Sequence, residues 1–270
     1  SIPDELQLQI LELCDMTTLA AICRTNKEWY AKASPIIWSD IDFVELSGDG
    51  AYDDGLIDQQ RQFFATCSTR MDERPDFWAA LAARVQSLKL TRMPGIAISY
   101  KSKAELNDSN DYIFIEIWPR DRRNIYDVIA EFKNLHTLYL FVKDWWEFSS
   151  IGESEKAVAH NLEKLTNLKV GGQINQDMML ALLSRPENIQ HLSLINLIHS
   201  PGQDNGPNPV LFLRSIQKRF TNLKTLHMSK LAELTEDTNI TGARWEFDPA
   251  AEIDLLEEWA DFLRHVSATL

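Results

Sequence analysis

A triplet of apolar residues at relative positions 0, 3 and 5 recurs through most of the chain, and it limits the possible folds more than any other feature of the sequence. Side chains alternate between the two faces of an extended strand, so positions 3 and 5 point to the same side. The copies are Val85/Leu88/Leu90, Tyr112/Ile115/Ile117, Leu135/Leu138/Leu140, Leu165/Leu168/Val170, Ile189/Leu192/Leu194 and Leu223/Leu226/Met228, after a weaker copy at Trp38/Ile41/Phe43. The pattern predicts a series of short strands that each bury one face.

The spacing of the triplets indicates how these strands are connected. The first positions of the six strong copies are separated by 27, 23, 30, 24 and 34 residues. Leucine-rich repeats have periods of roughly 20–29 residues, and each repeat can pair a strand with a helix. Helix-start signals fall between the triplets, at Pro75, Asp121, Asn175 and Asn208-Pro209.

The fold class predicted for residues 41–270 is therefore α/β: an irregular leucine-rich-repeat solenoid with parallel strands on its concave side and helices outside. The Asn that usually follows each repeat strand is absent, so an unrelated α/β domain with irregular parallel strands is the alternative.

A C-terminal helix after Asp248-Pro249 is expected to cap the last repeat, because solenoid ends otherwise expose their apolar core. Its predicted buried stripe consists of Leu255, Leu256, Trp259, Phe262, Leu263 and Val266. Its predicted polar outer side consists of Glu257, Glu258, Asp261 and Arg264.

Residues 1–38 carry the signals of three short helices. Pro3 suits the first turn of a helix, Thr17 or Thr18 is expected to cap the second helix, and Asn26 the third. Pro35 is expected to end the helical run.

The first of these helices is apolar on two sides. Leu6, Ile10 and Leu13 share one face, while Leu8 and Leu11 point nearly opposite. Units below about 40 residues seldom fold without a metal, disulfides or a partner. The sequence therefore predicts that a partner chain or the following domain covers the second apolar face.

The ordered series of residues in this segment resembles an F-box, of the type that fungal proteins combine with degenerate leucine-rich repeats. The series is Ile2-Pro3-x-Glu5-Leu6, Ile10-Leu11, Leu19-x-x-Ile22, Trp29-Tyr30 and Ser34-Pro35-x-x-Trp38. F-boxes dock on the Skp-family adaptor of cullin-RING ubiquitin ligases. The resemblance implies that residues 1–40 form an F-box that contacts the adaptor through Ile2, Pro3, Leu6, Ile10, Leu19, Ile22 and Trp38. An N-terminal helical cap on a larger domain is the alternative.

The resemblance also implies a function. The chain would be the substrate-recognition subunit of an SCF-type ubiquitin ligase, with the repeats binding a target protein whose identity is unknown. The alternative is a non-degradative scaffold that binds the adaptor and uses the same repeats as an assembly surface. In neither case would the chain be an enzyme or need a cofactor.

Strand positions 2, 4 and 6 are expected to face solvent on the concave side. The predicted target-binding residues are aromatic side chains and two flanking lysines that would favour an acidic segment: Lys89, Phe114, Trp118, Tyr139, Phe141, Trp145 and Lys169. If one strand were shifted by a single residue, its aromatic side chains would fill the core instead.

Composition and motifs exclude several other classes. The net charge of −13 argues against nucleic-acid binding and against binding to an anionic membrane surface. Three scattered cysteines favour an intracellular location, in cytoplasm or nucleus. No hydrolase, zinc-protease or phosphate-loop motif occurs, and His191 and His227 are interpreted as solvated strand residues rather than as a metal site. The acidic stretch at 39–55 is expected to be a solvated connection.

Overall fold

The computed structural model describes residues 2–43, 54–90, 125–142, 152–172, 174, 176–195, 209–216, 219–229, 249–267 and 270. Helices and strands alternate along most of this chain. In order they are α1 (Asp4–Glu12), α2 (Met16–Cys23), α3 (Lys27–Ser39), β1 (Asp40–Phe43), α4 (Asp54–Glu73), α5 (Pro75–Ala82), β2 (Ser87–Leu90), α6 (Ile125–Ala130), β3 (Thr137–Val142), α7 (Gly152–Asn161), β4 (Asn167–Gly172), α8 (Gln176–Leu182), a 3-10 turn (Pro186–Asn188), β5 (His191–Ile195), α9 (Pro209–Ile216), β6 (Thr225–Ser229) and α10 (Pro249–Val266).

The six strands form one parallel sheet in the order β1-β2-β3-β4-β5-β6, so each strand pairs with the next one described in the chain. Residues at position 3 of the triplets are in register across it, from Leu88 through Leu138, Leu168 and Leu192 to Leu226. The first four of these leucines are buried and Leu226, on the edge strand, is partly exposed. The predicted α/β class with parallel strands is confirmed, and the sheet is compatible with a repeat solenoid.

One predicted strand does not occupy its expected place in the sheet. Lys89 of β2 is in register with Tyr139 of β3, so these two strands pair directly with each other. A strand has only two edges, so no further strand can lie between them. The prediction that a strand at 112–117 separates them is therefore wrong, and those residues themselves lie outside the described ranges. The weaker copy at Trp38/Ile41/Phe43 does form a strand, β1, at the edge of the sheet.

The main hydrophobic core lies between the sheet and the helices. Strand residues at positions 3 and 5 contribute Leu88, Leu90, Leu138 and Leu140, all fully buried. The largest fully buried side chains that the helices and their connections contribute are Tyr126, Phe64, Phe132, Phe212 and Phe262. The predicted alternation of the strands therefore holds, with one face in the core and the other partly open to solvent.

Helices α4 and α7 were not predicted. The first begins at Asp54, inside the stretch expected to be a solvated connection, and β1 begins in the same stretch. Phe64, Cys67 and Met71 are spaced by three and four residues along α4 and are buried against the core. Burial raises the pKa of the Cys67 thiol far above its usual range.

Helices α1 to α3 have a separate small core, formed by Leu11, Leu19 and Ala33. Asp15 caps α2, since its Oδ1 accepts a hydrogen bond of 2.7 Å from the Thr18 amide. The prediction that Thr17 or Thr18 caps this helix is therefore wrong. Asn26 caps α3 as predicted, because its Oδ1 accepts from the Trp29 amide at 2.9 Å.

Pro35 does not end the helical run; it lies inside α3, which continues to Ser39 and leads directly into β1. An internal proline removes one helical hydrogen bond and costs about 3 kcal/mol in an isolated helix. Contacts on both sides of Pro35 offset this cost. Arg84 Nη1 donates to Ser34 Oγ at 2.6 Å, and the Gln86 amide donates to the Ser39 carbonyl at 2.9 Å.

Helix α10 packs against α9, and its Leu255, Phe262 and Val266 side chains are buried in the main core. The Phe262 ring meets the Phe220 ring edge-on at 5.8 Å. Two details of the predicted cap are wrong: Leu256 and Leu263 are exposed, while Glu258 is buried. The buried carboxylate accepts a hydrogen bond of 2.6 Å from Arg214 Nε, which offsets the cost of its burial.

None of the helices in the described ranges combines the length and apolar content that crossing a membrane requires.

Candidate protein-binding surfaces

Helix α1 presents an uncovered row of large apolar side chains. Leu6, Ile10 and Leu13 lie on one side of the helix and are 49%, 50% and 89% exposed. Ile2 before the helix and Met16 after it are also more than half exposed. We call these five residues the α1 apolar face. Contiguous exposed apolar patches are typical of protein–protein contact sites.

Contacts on the other side of α1 fix the orientation of this face. Leu11 is buried against α2 and α3. Lys32 of α3 donates to Asp4 at 3.0 Å, to Gln7 at 2.8 Å and to Glu28 at 2.8 Å. The hydrogen bonds to Glu28 and Asp4 raise the pKa of Lys32, so it stays charged at physiological pH. Leu6, Ile10 and Leu13 of the α1 apolar face therefore point away from the α1–α3 core.

The structure divides the seven residues that the F-box resemblance assigned to adaptor contact. Ile2, Pro3, Leu6 and Ile10 are exposed, and Ile22 is half-buried against the α1–α3 core. Leu19 is 2% exposed in the α1–α3 core, so its side chain has almost no surface for the predicted contact. Trp38 is partly buried on the main core, with its ring 5.9 Å from that of Phe63, and its adaptor contact stays a prediction.

The second surface is the open face of the sheet. Side chains at position 4 lie in register across the strands and form the row Asp42, Lys89, Tyr139, Lys169, Ser193 and His227. Side chains at position 2 form the row Asp40, Ser87, Thr137, Asn167, His191 and Thr225. Most of these residues line a groove of about 670 Å³, which we call the sheet groove.

Tyr139 lies in the middle of the sheet groove. It is partly exposed, while Leu138 and Leu140 on either side of it are fully buried. Strand β3 therefore has the predicted register, and the alternative in which its aromatic residues fill the core is wrong. The Lys169 ammonium lies 4.3 Å from the centre of the Tyr139 ring, within cation–π distance. Partial burial raises the pKa of the Tyr139 hydroxyl.

The two predicted flanking lysines have different environments. Lys89 Nζ is 2.7 Å from Asp42 Oδ2 and 3.8 Å from Asp40 Oδ2, and the hydrogen bond to Asp42 is the main cause of its raised pKa. Its charge is therefore compensated within the chain, contrary to the expectation that it would attract an acidic segment. Among the described residues, Lys169 has no carboxylate partner.

Two hydroxyl–imidazole pairs occupy the other end of the sheet groove. His191 Nδ1 is 2.8 Å from Thr225 Oγ1, and His227 Nδ1 is 3.0 Å from Ser193 Oγ. Within the described ranges, no cluster of three His, Cys, Asp or Glu side chains has metal-binding geometry. Sequence reasoning placed both histidines on this face but not in the target-binding set. The pairing with hydroxyl residues on the neighbouring strand is a tertiary feature, because each pair joins residues 34 positions apart.

Phe141 lies at the carboxyl end of β3, in register with Gly171. A Cβ atom at Gly171 would lie 2.6 Å from the Ile195 carbonyl oxygen and 2.8 Å from Phe141 Cδ2, so only glycine leaves room there. The structure thus brings Lys89, Tyr139, Phe141 and Lys169 together. The other predicted target-binding residues, Phe114, Trp118 and Trp145, lie outside the described ranges.

Comparisons with known proteins do not assign a family. A scan against protein-family models gives no match, and a search of curated proteins gives no significant relative.

Proposed function

We propose that this chain is the substrate-recognition subunit of an SCF-type ubiquitin ligase. In this proposal residues 1–40 are an F-box that binds a Skp-family adaptor, and residues 41–270 are irregular leucine-rich repeats that bind a target protein. The compartment would be intracellular, where such ligases act.

The α1 apolar face carries the proposal. Three leucine or isoleucine side chains and two flanking apolar residues are left in water, although burying one such side chain stabilises by roughly 1.5–3 kcal/mol. An adaptor that covers this face would recover much of that free energy. The face includes Ile2, Leu6 and Ile10, which the F-box resemblance assigns to adaptor contact.

The sheet supports the second half of the proposal. Its parallel strands are in sequence order and their leucines are in register, as expected when one repeat stacks on the next. A stack of this kind offers a row of solvent-facing side chains, here the sheet groove, on which a partner can lie. The spacing of the triplets at β3 to β6, 24 to 34 residues, supports the assignment of these strands to leucine-rich repeats.

The mechanism in this proposal is proximity, with no bond made or broken by this chain. A target held on the repeats and an adaptor held on α1 belong to one complex, so the effective concentration of target lysines at the ligase rises to the millimolar range for short spans. The direct link from α3 into β1, with no intervening linker, supports a fixed distance between the two sites.

The experiment has two stages. Full-length chain is first tested for capture of a purified Skp-family adaptor, and proteins retained by the assembled complex are then incubated with cullin, RING subunit and charged ubiquitin-conjugating enzyme. Ubiquitination of retained proteins that depends on the α1 apolar face supports the proposal. Adaptor capture without ubiquitination indicates the non-degradative scaffold instead, and absence of adaptor capture contradicts both.

A further inference from the structure

The two ends of the sheet groove differ in charge. At the β1–β2 end, Asp40 and Asp42 compensate Lys89. At the other end, strands β4, β5 and β6 contain no Asp or Glu, and their only charged or titratable residues are Lys169, His191 and His227. Lys224 immediately precedes β6, and its ammonium donates to Gln190 Oε1 at 2.8 Å.

The aspartates at the β1 end of the sheet groove lie far from the histidines on β5 and β6. Adjacent strands lie about 4.8 Å apart, so Asp42 on β1 is roughly 14 Å from the β4 position and roughly 24 Å from the β6 position in the same row. The Debye length is about 8 Å at physiological ionic strength. The charge of Asp42 is therefore largely screened at the β4–β6 end.

Protonation of the two histidines breaks no hydrogen bond. A hydroxyl can donate to a neutral Nδ1 or accept from a protonated one, so Thr225 and Ser193 suit both states of the rings. Among the described residues, neither Nε2 atom has a hydrogen-bond partner. Each protonated ring would keep its hydroxyl contact and offer a second N–H to a ligand.

We propose that the β4–β6 end of the sheet groove binds a carboxylate-rich segment of a partner protein, and binds it more tightly as the pH falls from 8 to 6. Lys169 supplies a permanent positive charge, and His191 and His227 each add a charge and an Nε2–H donor when their rings are protonated. The identification of this partner as the target of the ligase rests on the proposed function. The binding of a carboxylate-rich segment does not.

The test uses the full-length chain and a fluorescein-labelled octaglutamate peptide, whose carboxylates stay ionised at both pH values. Fluorescence anisotropy gives the dissociation constant at pH 6 and pH 8 in 150 mM salt. We expect binding to be about fivefold tighter at pH 6. An octaglutamine peptide of the same length should bind at least tenfold more weakly than octaglutamate at pH 6.

Three variants locate the effect. His191→Asn combined with His227→Asn keeps an amide near the Nδ1 position of each ring, so the hydroxyl contacts can persist while protonation is lost. This double variant should bind with the same affinity at both pH values. Lys169→Gln should weaken binding about fivefold at both. A control that combines Lys133→Gln with His160→Gln, both exposed and outside the sheet groove, should behave as wild type.

The proposal is overturned if wild-type affinity is equal at pH 6 and pH 8, if octaglutamine binds as tightly as octaglutamate, or if the double Asn variant keeps the wild-type pH dependence. Adaptor capture by the same samples reports separately on the proposed function. Peptide binding without adaptor capture would contradict the ligase role alone, and adaptor capture without peptide binding would contradict only the acidic target.

Discussion

Leu138 and Tyr139 are neighbours in β3 with opposite environments, and this contrast tests the register of the sheet. Leu138 is fully buried, so Leu138→Ala should lower the free energy of unfolding by about 2–5 kcal/mol. Tyr139 is partly exposed beneath Lys169, so Tyr139→Ala should cost about 1 kcal/mol. Urea denaturation of both variants measures these losses. Equal losses of several kcal/mol would mean that Tyr139 belongs to the core and not to a binding surface.

Glu155 on α7 is held in an environment that opposes its ionisation. Burial is the main cause of its raised pKa, and the carboxylates of Asp177 and Asp127 add to it. Its Oε2 atom is buried and has no hydrogen-bond partner within the described ranges. The ionised form is therefore less favourable in the folded chain than in the unfolded chain, where the pKa is about 4.3.

This environment predicts a pH-dependent effect of Glu155→Gln. The folded-state pKa lies above the unfolded one, so wild type gains stability as the pH falls through the folded-state value and the gain is complete below about pH 4. The variant, which never ionises, should melt at a higher temperature than wild type at pH 7 and at a similar temperature near pH 4. Thermal melts by circular dichroism check this. Glu257→Gln, exposed on α10, is the control, and equal melting temperatures of wild type and Glu155→Gln at pH 7 would contradict the account.

The sequence predicted the environment of a side chain correctly where the local pattern determines it, and incorrectly where tertiary contacts determine it. Strand alternation placed Tyr139 and Lys169 on the open face, because the period of two is a property of the extended chain itself. The compensation of Lys89 by Asp40 and Asp42 depends on the side-chain contacts between β1 and β2, which the weak triplet at Trp38/Ile41/Phe43 did not specify. The burial of Leu19 likewise depends on how α2 packs on α1 and α3.

Elements could be predicted when their signal was strong and continuous. The leucine triplets predicted β2 to β6, and Asn26 predicted the start of α3. Helix α4 was missed because its glycine- and acid-rich start resembles a loop, although Phe64, Cys67 and Met71 have helical spacing. The continuation of α3 through Pro35 could not be predicted, since it depends on Arg84 and Gln86, which lie about 50 residues away in the chain.

Helix α10 covers the last part of the main core. Its buried residues include Leu255, Phe262 and Val266, and Phe262 contacts Phe220 outside the helix. Deleting the chain from Asp248 onward should expose this core and leave Arg214 without its partner Glu258. We expect the truncated protein to aggregate, as seen by light scattering during size-exclusion chromatography. A monomeric truncation with the wild-type melting temperature would show that α10 is dispensable.

A single substitution in α10 tests the contribution of its buried side chains without shortening the chain. Phe262→Ala should destabilise the intact chain by about 3–5 kcal/mol, because the ring is fully buried. Leu256→Ala in the same helix is the matched control, since Leu256 is 55% exposed and its truncation should change the free energy of unfolding little.

The described part of the chain contains two hydrophobic cores joined through α3. The small core of α1 to α3 is built on the buried residues Leu11, Leu19 and Ala33, whereas the main core extends across all six described strands. Contacts from Arg84 to Ser34 and from Phe63 to Trp38 tie α3 to the larger unit. In this arrangement α1 packs on the small core through Leu11 and leaves Leu6, Ile10 and Leu13 exposed, as the proposed adaptor contact requires.

The most direct measurement is the affinity of the full-length chain for a purified Skp-family adaptor, by isothermal titration calorimetry. Wild type should bind with one-to-one stoichiometry, and Leu6→Asp should weaken binding at least about 30-fold, since a central interface residue is worth roughly 2 kcal/mol or more. Leu8→Asp is the matched control, because Leu8 is 42% exposed on the same helix but points nearly opposite to Leu6. The affinity of this variant for the adaptor should stay near that of wild type. Absence of binding by wild type, or an equal loss in the two variants, would contradict the account.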